Sequence, residues 1–290
     1  MAGNTLRRLV SKCIAYAVAG RAAALLRPHQ FGVGVRGGCE GIIHAVRTLL
    51  ADEDVSDDSK WLLQVDFENA FNLVDRSKMM IEVRKHLPDI SYWVESIYGV
   101  EAVLNMGDTT ILSTAGVHQG DPLASLLFSL ALLPVVERLA REIPNLVANA
   151  WFLDDGALGG RKQDLQQAVE ILIQYGPELG LHLSPLKSTV WCPAHHQDDA
   201  DPLDRGIPRV GQEGVKLLGA PIGSQAFQKV AMEEKVYKLE KLMDKLSLLE
   251  DPHTEYAMLK SCFALPKLSF LMRAVDPRQH QGTLVKFDTA

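Results

Sequence analysis

Two acidic residues stand side by side in this chain, Asp154 and Asp155, in the middle of an apolar stretch. Trp151, Phe152 and Leu153 precede them, and Gly156, Ala157 and Leu158 follow. A third acid, Asp66, closes the buried-strand pattern Trp61-Leu-Leu-Gln-Val, where a solvated charge is out of place. Like charges gathered beside a hydrophobic sheet cost free energy unless a cation compensates them. Two Mg²⁺ ions roughly 3.5–4 Å apart do so, and together they clamp both oxygens of a phosphoryl displacement. Asp-Asp-Gly alone is also an ordinary turn sequence, because Asp and Gly favour turns. What surrounds the tripeptide decides between these readings.

The pattern along the chain gives an α+β order. Residues 5–26 read as a helix, ended by the region of Pro28. A glycine-rich loop follows, then the amphipathic helix Ile42 to Leu50. Trp61 to Asp66 is a strand. Helices are expected through Met79 to His86, stopping before Pro88, and over Tyr92 to Tyr98. Ala102 to Met106 and Thr109 to Ser113 form a hairpin around Gly107-Asp108. Leu123 to Arg141 is a long apolar helix that Pro134 should bend. Leu146 to Leu153 and Ala157-Leu158 flank a tight hairpin turn of Asp154-Asp155-Gly156. Asp164 caps a helix to Tyr175. Leu181-His-Leu and Thr189-Val-Trp191 read as a strand pair with Lys187 in its turn. Residues 193–213 read as a polar surface insertion and Val215 to Leu218 as a short strand. Ala226 to Leu249 and Thr254 to Phe263 read as helices.

Charge is unevenly spread. The net charge of −6 hides a basic beginning: residues 1–50 hold seven basic side chains against one acidic. Residues 51–227 hold 13 against 26, and residues 228–290 hold ten against nine. The basic first segment could face a nucleic-acid strand, or be a helix with an ordinary basic face. Four scattered cysteines with no CxxC pair indicate neither a zinc site nor a disulfide framework, so an intracellular setting is expected, nucleus or cytoplasm unresolved. No run approaches the roughly 18 apolar residues of a membrane span, and no membrane partner is expected.

The acids belong to a longer series. Asp66-Phe-Glu-Asn-Ala-Phe71-Asn is followed by Ala115-Gly-Val-His-Gln119-Gly120-Asp-Pro122-Leu-Ala-Ser125-Leu-Leu-Phe128. Then come Phe152-Leu-Asp154-Asp155-Gly, Gly180-Leu-His-Leu-Ser-Pro-Leu-Lys187-Ser and Lys216-Leu-Leu-Gly219. In order, spacing and content these five segments resemble the palm motifs of reverse transcriptases, closest to the non-LTR retrotransposon type. The resemblance covers about residues 5–275.

It implies a polymerase palm, an antiparallel sheet with packed helices, at 61–225. A partial fingers region would lie at 1–60 and a thumb-like helical region at 226–290. It implies an RNA-directed DNA polymerase, a nucleotidyltransferase that adds deoxynucleotides to a primer 3′-OH with two Mg²⁺, Mn²⁺ being a possible substitute. Its partners would be an RNA or DNA template with primer, and dNTP. By the resemblance Asp66 and Asp154 ligate both metals, the Phe67 carbonyl adds a neutral ligand, and Asp155 is the outer acid. Phe71 stands where the family has a ring that excludes the ribose 2′-OH; without the motif it would read as core. Gln119, Gly120 and Pro122 match the segment bordering the nascent base pair and template. Lys187 matches a lysine proposed to protonate pyrophosphate, or is an exposed turn lysine. Leu218 and Gly219 match the primer grip.

Leu153 is larger than the residue usual before the paired acids, and Ala124-Ser125 replaces a common Ser-Pro. The family's basic fingers strand would precede the first residue here, so an N-terminally truncated domain with weak dNTP binding is expected. The alternative is a catalytically impaired, polymerase-derived nucleic-acid-binding or scaffold protein. A two-metal nuclease or phosphatase fits poorly, because Phe71 and the Gln119-Gly120 loop have no role in one.

Overall fold

The computed structural model describes residues 5–193, 203–211 and 213–289. In chain order the elements begin with α1 (Thr5–Leu26), α2 (Gly38–Ala51), β1 (Trp61–Val65), α3 (Ala70–Leu73), α4 (Arg76–His86) and α5 (Pro88–Tyr98). Next come β2 (Ala102–Met106), β3 (Thr109–Ser113), α6 (Ala124–Glu142), β4 (Ala148–Phe152), β5 (Asp155–Gly160) and α7 (Lys162–Tyr175). The rest are β6 (Thr189–Trp191), β7 (Gly214–Leu217), β8 (Ala220–Gly223), α8 (Gln225–Met243), α9 (Pro252–Met258), α10 (Leu265–Ala274) and α11 (Gln281–Thr289). The architecture is α+β, as the sequence pattern implies.

The central sheet has the order β4-β5-β1-β6, with each neighbouring pair antiparallel. Both of its faces are covered, which explains why β1 reads as a nearly continuous apolar run rather than an alternating one. Side chains on a strand alternate between faces. Leu63 and Val65 join the large core with Trp151 and Leu158 and with residues of α4, α5, α6 and α7. Leu62, Ala157 and Trp191 join a second core with Ile42, Ile43 and Val46 of α2 and the hairpin β7–β8. Gln64, on that second side, donates to the Lys216 carbonyl at 2.9 Å and accepts from the Thr189 hydroxyl at 2.8 Å. Trp151 is fully buried opposite Gly156, where a Cβ would lie 2.7 Å from the indole ring. That glycine leaves room for the ring.

A third, smaller core joins Met232, Val236 and Leu239 of α8 to Leu268 and Leu271 of α10. Helix α1 is long and apolar enough, by length and composition, to cross a membrane. Here one face packs inward through Ser11, Val18, Ala22 and Leu26. Hydrogen bonds from Trp93 to Ser11 and from Arg21 to Asp89 tie it to α5.

Several local expectations need correction. Asp155 is not in the hairpin turn but opens β5, paired with Phe152, so the turn is Leu153-Asp154. The reason is Leu153, which takes the positive φ (59°) that a two-residue hairpin turn calls for. Residues 181–183 do not pair with β6; β6 pairs with β1, and Leu183 bridges Phe67 instead. Asp66 sets that arrangement by accepting from Ser184 N at 2.9 Å through its carbonyl. Helix α8 ends at Met243, and a π-helical turn over Leu259–Phe263 follows α9. The expected insertion 193–213 lies partly outside the described residues. Of its described part, Leu203 and Ile207 are buried, because Val190 and Val210 tie this segment to β6.

Candidate active site

Strand pairing brings the three acids together. Asp66 follows directly on the Val65↔Gly156 pair, and Asp155 directly precedes it on the neighbouring strand. Asp154 stands at the turn between β4 and β5. The electrostatics register this crowding. The Asp155 carboxyl is pushed up to about 6 by partial burial, with Asp154 and Asp66 adding to the shift. The Asp154 carboxyl is raised as well, mainly by burial and further by Asp66. Burial and the neighbouring carboxylates both disfavour the charged form, and they outweigh the backbone hydrogen bond that favours it at Asp154.

A cleft of about 290 Å³ gathers Asp66, Asp155, Lys187, Leu218 and Gly219 with Gln64 and Lys216. Lys187 is exposed there, in the loop that folds back on Asp66. The Asp66 backbone N–H donates to Ser188 Oγ at 3.1 Å. Leu218-Gly219 forms the turn of the β7–β8 hairpin, both residues with positive φ, 47° and 86°. Phe67 is buried and stacks on Trp151 at 6.0 Å, so its ring anchors the strand end that carries Asp66.

The fit of this site to divalent metal rests on one atom. Asp66 Oδ1 is buried with no hydrogen-bond partner. A buried carboxylate oxygen without a partner is costly, and a cation relieves it. Among the described residues no three His, Cys, Asp or Glu side chains form a ready-made metal cage. Mg²⁺ does not require one, since it takes one or two carboxylates and fills its shell with water and substrate phosphate. The donor set fits Mg²⁺, with the remaining ligands left to substrate.

A family model described as reverse transcriptase (RNA-dependent DNA polymerase) matches residues 4–222. The chain belongs to the reverse transcriptase family. Among solved structures it is similar to a telomerase from Candida albicans, determined with a fragment of telomeric RNA, at 10% identity and a TM-score of 0.48. That match covers 95% of this chain, which spans about half (51%) of the telomerase chain. No curated protein matches.

The remaining sequence-derived positions form a second group, built around the loop before α6. Phe71 is half-buried and stacks on Phe128 of α6, ring centroids 4.5 Å apart. Its carbonyl accepts from Val117 N at 2.8 Å, which ties the loop to α3. Gln119 and Gly120 are exposed, with Gly120 at φ 84°, and Pro122 is half-buried.

Sequence reasoning missed what fixes this loop. Arg76, buried, donates to the carbonyls of Gly116 (2.8 Å) and Ser113 (2.6 Å). Tyr98 donates to Asp121 Oδ2 at 2.7 Å, while Asp121 Oδ1 accepts from Leu123 N at 3.0 Å at the start of α6. His118 stacks on Tyr98 between Arg7 and Arg76, and burial and both arginines hold its ring below its ordinary pKa. Arg7, from the basic first segment, thus contacts the loop rather than reaching outward.

A run of lysines was also missed. Lys216, Lys235, Lys238 and Lys267 line a pocket of about 270 Å³ with Phe227 and Phe270. Burial, then the neighbouring Lys267, Lys216 and Lys238, lower the Lys235 pKa. Lys216 and Gly219 line this pocket and the acidic cleft alike, so the two are contiguous. Near-balance of charge over 228–290 concealed the clustering.

Proposed function

We propose that the chain is an RNA-directed DNA polymerase domain, of the non-LTR retrotransposon type, that extends a primer 3′-OH with deoxynucleotides. The observation that carries this reading is the junction of β1, β4 and β5. There Asp66, with its unpartnered Oδ1, meets the raised carboxyls of Asp154 and Asp155. Asp66 and Asp154 would hold two Mg²⁺, or Mn²⁺ in its place, with the Phe67 carbonyl as a neutral ligand and Asp155 outermost. Such ions, when bound, lower the charge on the attacking and leaving oxygens of the displacement.

The chain's own groups would do the rest. Lys187, exposed in the same cleft, donates a proton to the departing pyrophosphate. Phe71, held from behind by Phe128, presents its ring edge to the sugar. Gln119, Gly120 and Pro122 border the nascent pair, with Arg76 and Tyr98 fixing their loop. Leu218 and Gly219 contact the primer end, and Lys216, Lys235, Lys238 and Lys267 meet its phosphates. In this reading 61–225 is the palm, 1–60 contributes fingers, and 226–290 is the thumb, which the separate core of α8 and α10 supports.

Primer extension on a homopolymer RNA template, with and without Mg²⁺, tests the proposal. A polymerase lengthens the primer only with metal. A primer that shortens identifies a nuclease, and one that stays unchanged but bound identifies a scaffold.

A further inference from the structure

The reaction so described makes no use of Gln30, in the segment between α1 and α2. This side chain is buried, 5% exposed. Its segment runs beside β4: Phe31 N donates to the Trp151 carbonyl and Trp151 N to the His29 carbonyl, both at 2.7 Å. The carboxamide then reaches past the strand end and grips one residue at both of its backbone groups. Gln30 Oε1 accepts from Leu153 N at 2.7 Å and from Gly32 N at 2.9 Å. Gln30 Nε2 donates to the Leu153 carbonyl at 3.1 Å. Only a side chain that both accepts and donates can do this; a carboxylate cannot donate and a hydrocarbon can do neither.

What it grips is a strained position. Leu153 has φ 59°, a conformation that residues with a Cβ disfavour. Gly32 closes the grip from beneath. A Cβ on Gly32 would lie 2.7 Å from Leu153 Cγ and Cδ2 and 2.8 Å from its backbone nitrogen. The next residue is Asp154, so the backbone angles of Leu153 decide where that carboxylate points.

We propose that Gln30 is the positioning residue of the acidic turn: it holds Leu153 in its left-handed conformation and so sets the stance of Asp154 toward Asp66. The consequence for cation binding rests on the polymerase reading above; the clamp itself does not.

Two measurements on the full chain separate these. The first, without metal, is amide hydrogen exchange of Gln30→Ala against the parent. Leu153 N–H is expected to exchange at least about tenfold faster in the variant, with β1 and α6 amides unchanged. An unchanged rate, or equal acceleration throughout β4 and β5, overturns the clamp. The second is Mn²⁺ titration well below the melting temperature. Gln30→Ala and Gly32→Ala should each lower affinity by about tenfold or more, as loss of a supporting shell does. Adding Leu153→Gly to Gln30→Ala should restore most of that affinity, because glycine adopts positive φ without strain. A Gln30 that merely fills the core would lower the melting temperature, leave Mn²⁺ affinity intact and gain nothing from Leu153→Gly; that result overturns the positioning role. If the parent chain binds no Mn²⁺, the polymerase reading fails, and the exchange measurement alone decides the clamp.

Discussion

Asp66 and Asp155 flank the last registered pair of β1 and β5, Val65↔Gly156, and line one cleft. This adjacency brings the end of an apolar strand and the acidic hairpin into one site. Replacing Asp154, which completes the group, with Asn should abolish extension, a loss of roughly a thousandfold or more if metal binding supplies several kcal/mol. Metal-free stability should hold or rise, because one of three crowded like charges is gone. Extension rates and melting curves on the same preparation check both halves.

The pH dependence has a definite sign. The Asp155 carboxyl is raised to about 6, so the folded chain binds its proton more tightly than the unfolded chain, whose value is about 4. Its contribution to stability is full below the unfolded value and is lost as pH rises through the folded value. Carboxylates held low, such as Asp75, behave oppositely, so the useful quantity is a difference. Between pH ~4 and ~7 without metal, the melting temperature of the parent should fall relative to that of Asp155→Asn. Mg²⁺ at neutral pH should narrow the gap. Calorimetry across pH, with chelator and with Mg²⁺, measures it.

Phe71 packs in the core, and sugar discrimination is its proposed second role; one substitution tests both. Its stack on Phe128 makes it part of the core, so Phe71→Ala should cost about 2–4 kcal/mol in denaturant unfolding. If its ring also excludes the 2′-OH, the ratio of kcat/KM for dNTP over rNTP should drop as well. A stability loss with an unchanged ratio leaves Phe71 as core alone.

The loop before α6 depends on Tyr98. Tyr98→Phe leaves a buried oxygen of Asp121 without its donor, a cost of about 1–3 kcal/mol. Since that loop is read as bordering the nascent pair, nucleotide KM should rise more than primer–template Kd. Steady-state kinetics and binding isotherms give the two numbers.

The lysine pocket should reveal itself in salt. Lys235→Gln or Lys267→Gln should each lower the slope of log K against log salt for primer–template by about one. Fluorescence anisotropy over a salt series reads the slope directly.

The legibility of this chain divides by physical cause. The hairpin β2–β3 was readable to its residue bounds, because Gly107-Asp108 and the strands around it are local signals. The end of α4 at His86 was readable because Pro88 follows. The acids were readable because charge in apolar strands is anomalous in any fold. Partners distant in sequence were not. Gln30 meets Leu153 across 123 residues, and Arg76 meets Gly116 across 40. Nothing about a lone Gln or Arg announces such a contact. The Leu153-Asp154 turn was misplaced for the same reason, since a leucine at positive φ is tolerable only with a clamp that local sequence does not display.

The most direct test of the account is single-nucleotide incorporation on a primed RNA template of defined sequence, in Mg²⁺, by the parent chain and by Asp66→Asn and Asp154→Asn. The expected result is a primer one residue longer with the complementary dNTP alone, lost in both variants and lost on chelation. A primer left unextended by the parent chain, or extended equally by the variants, would contradict it.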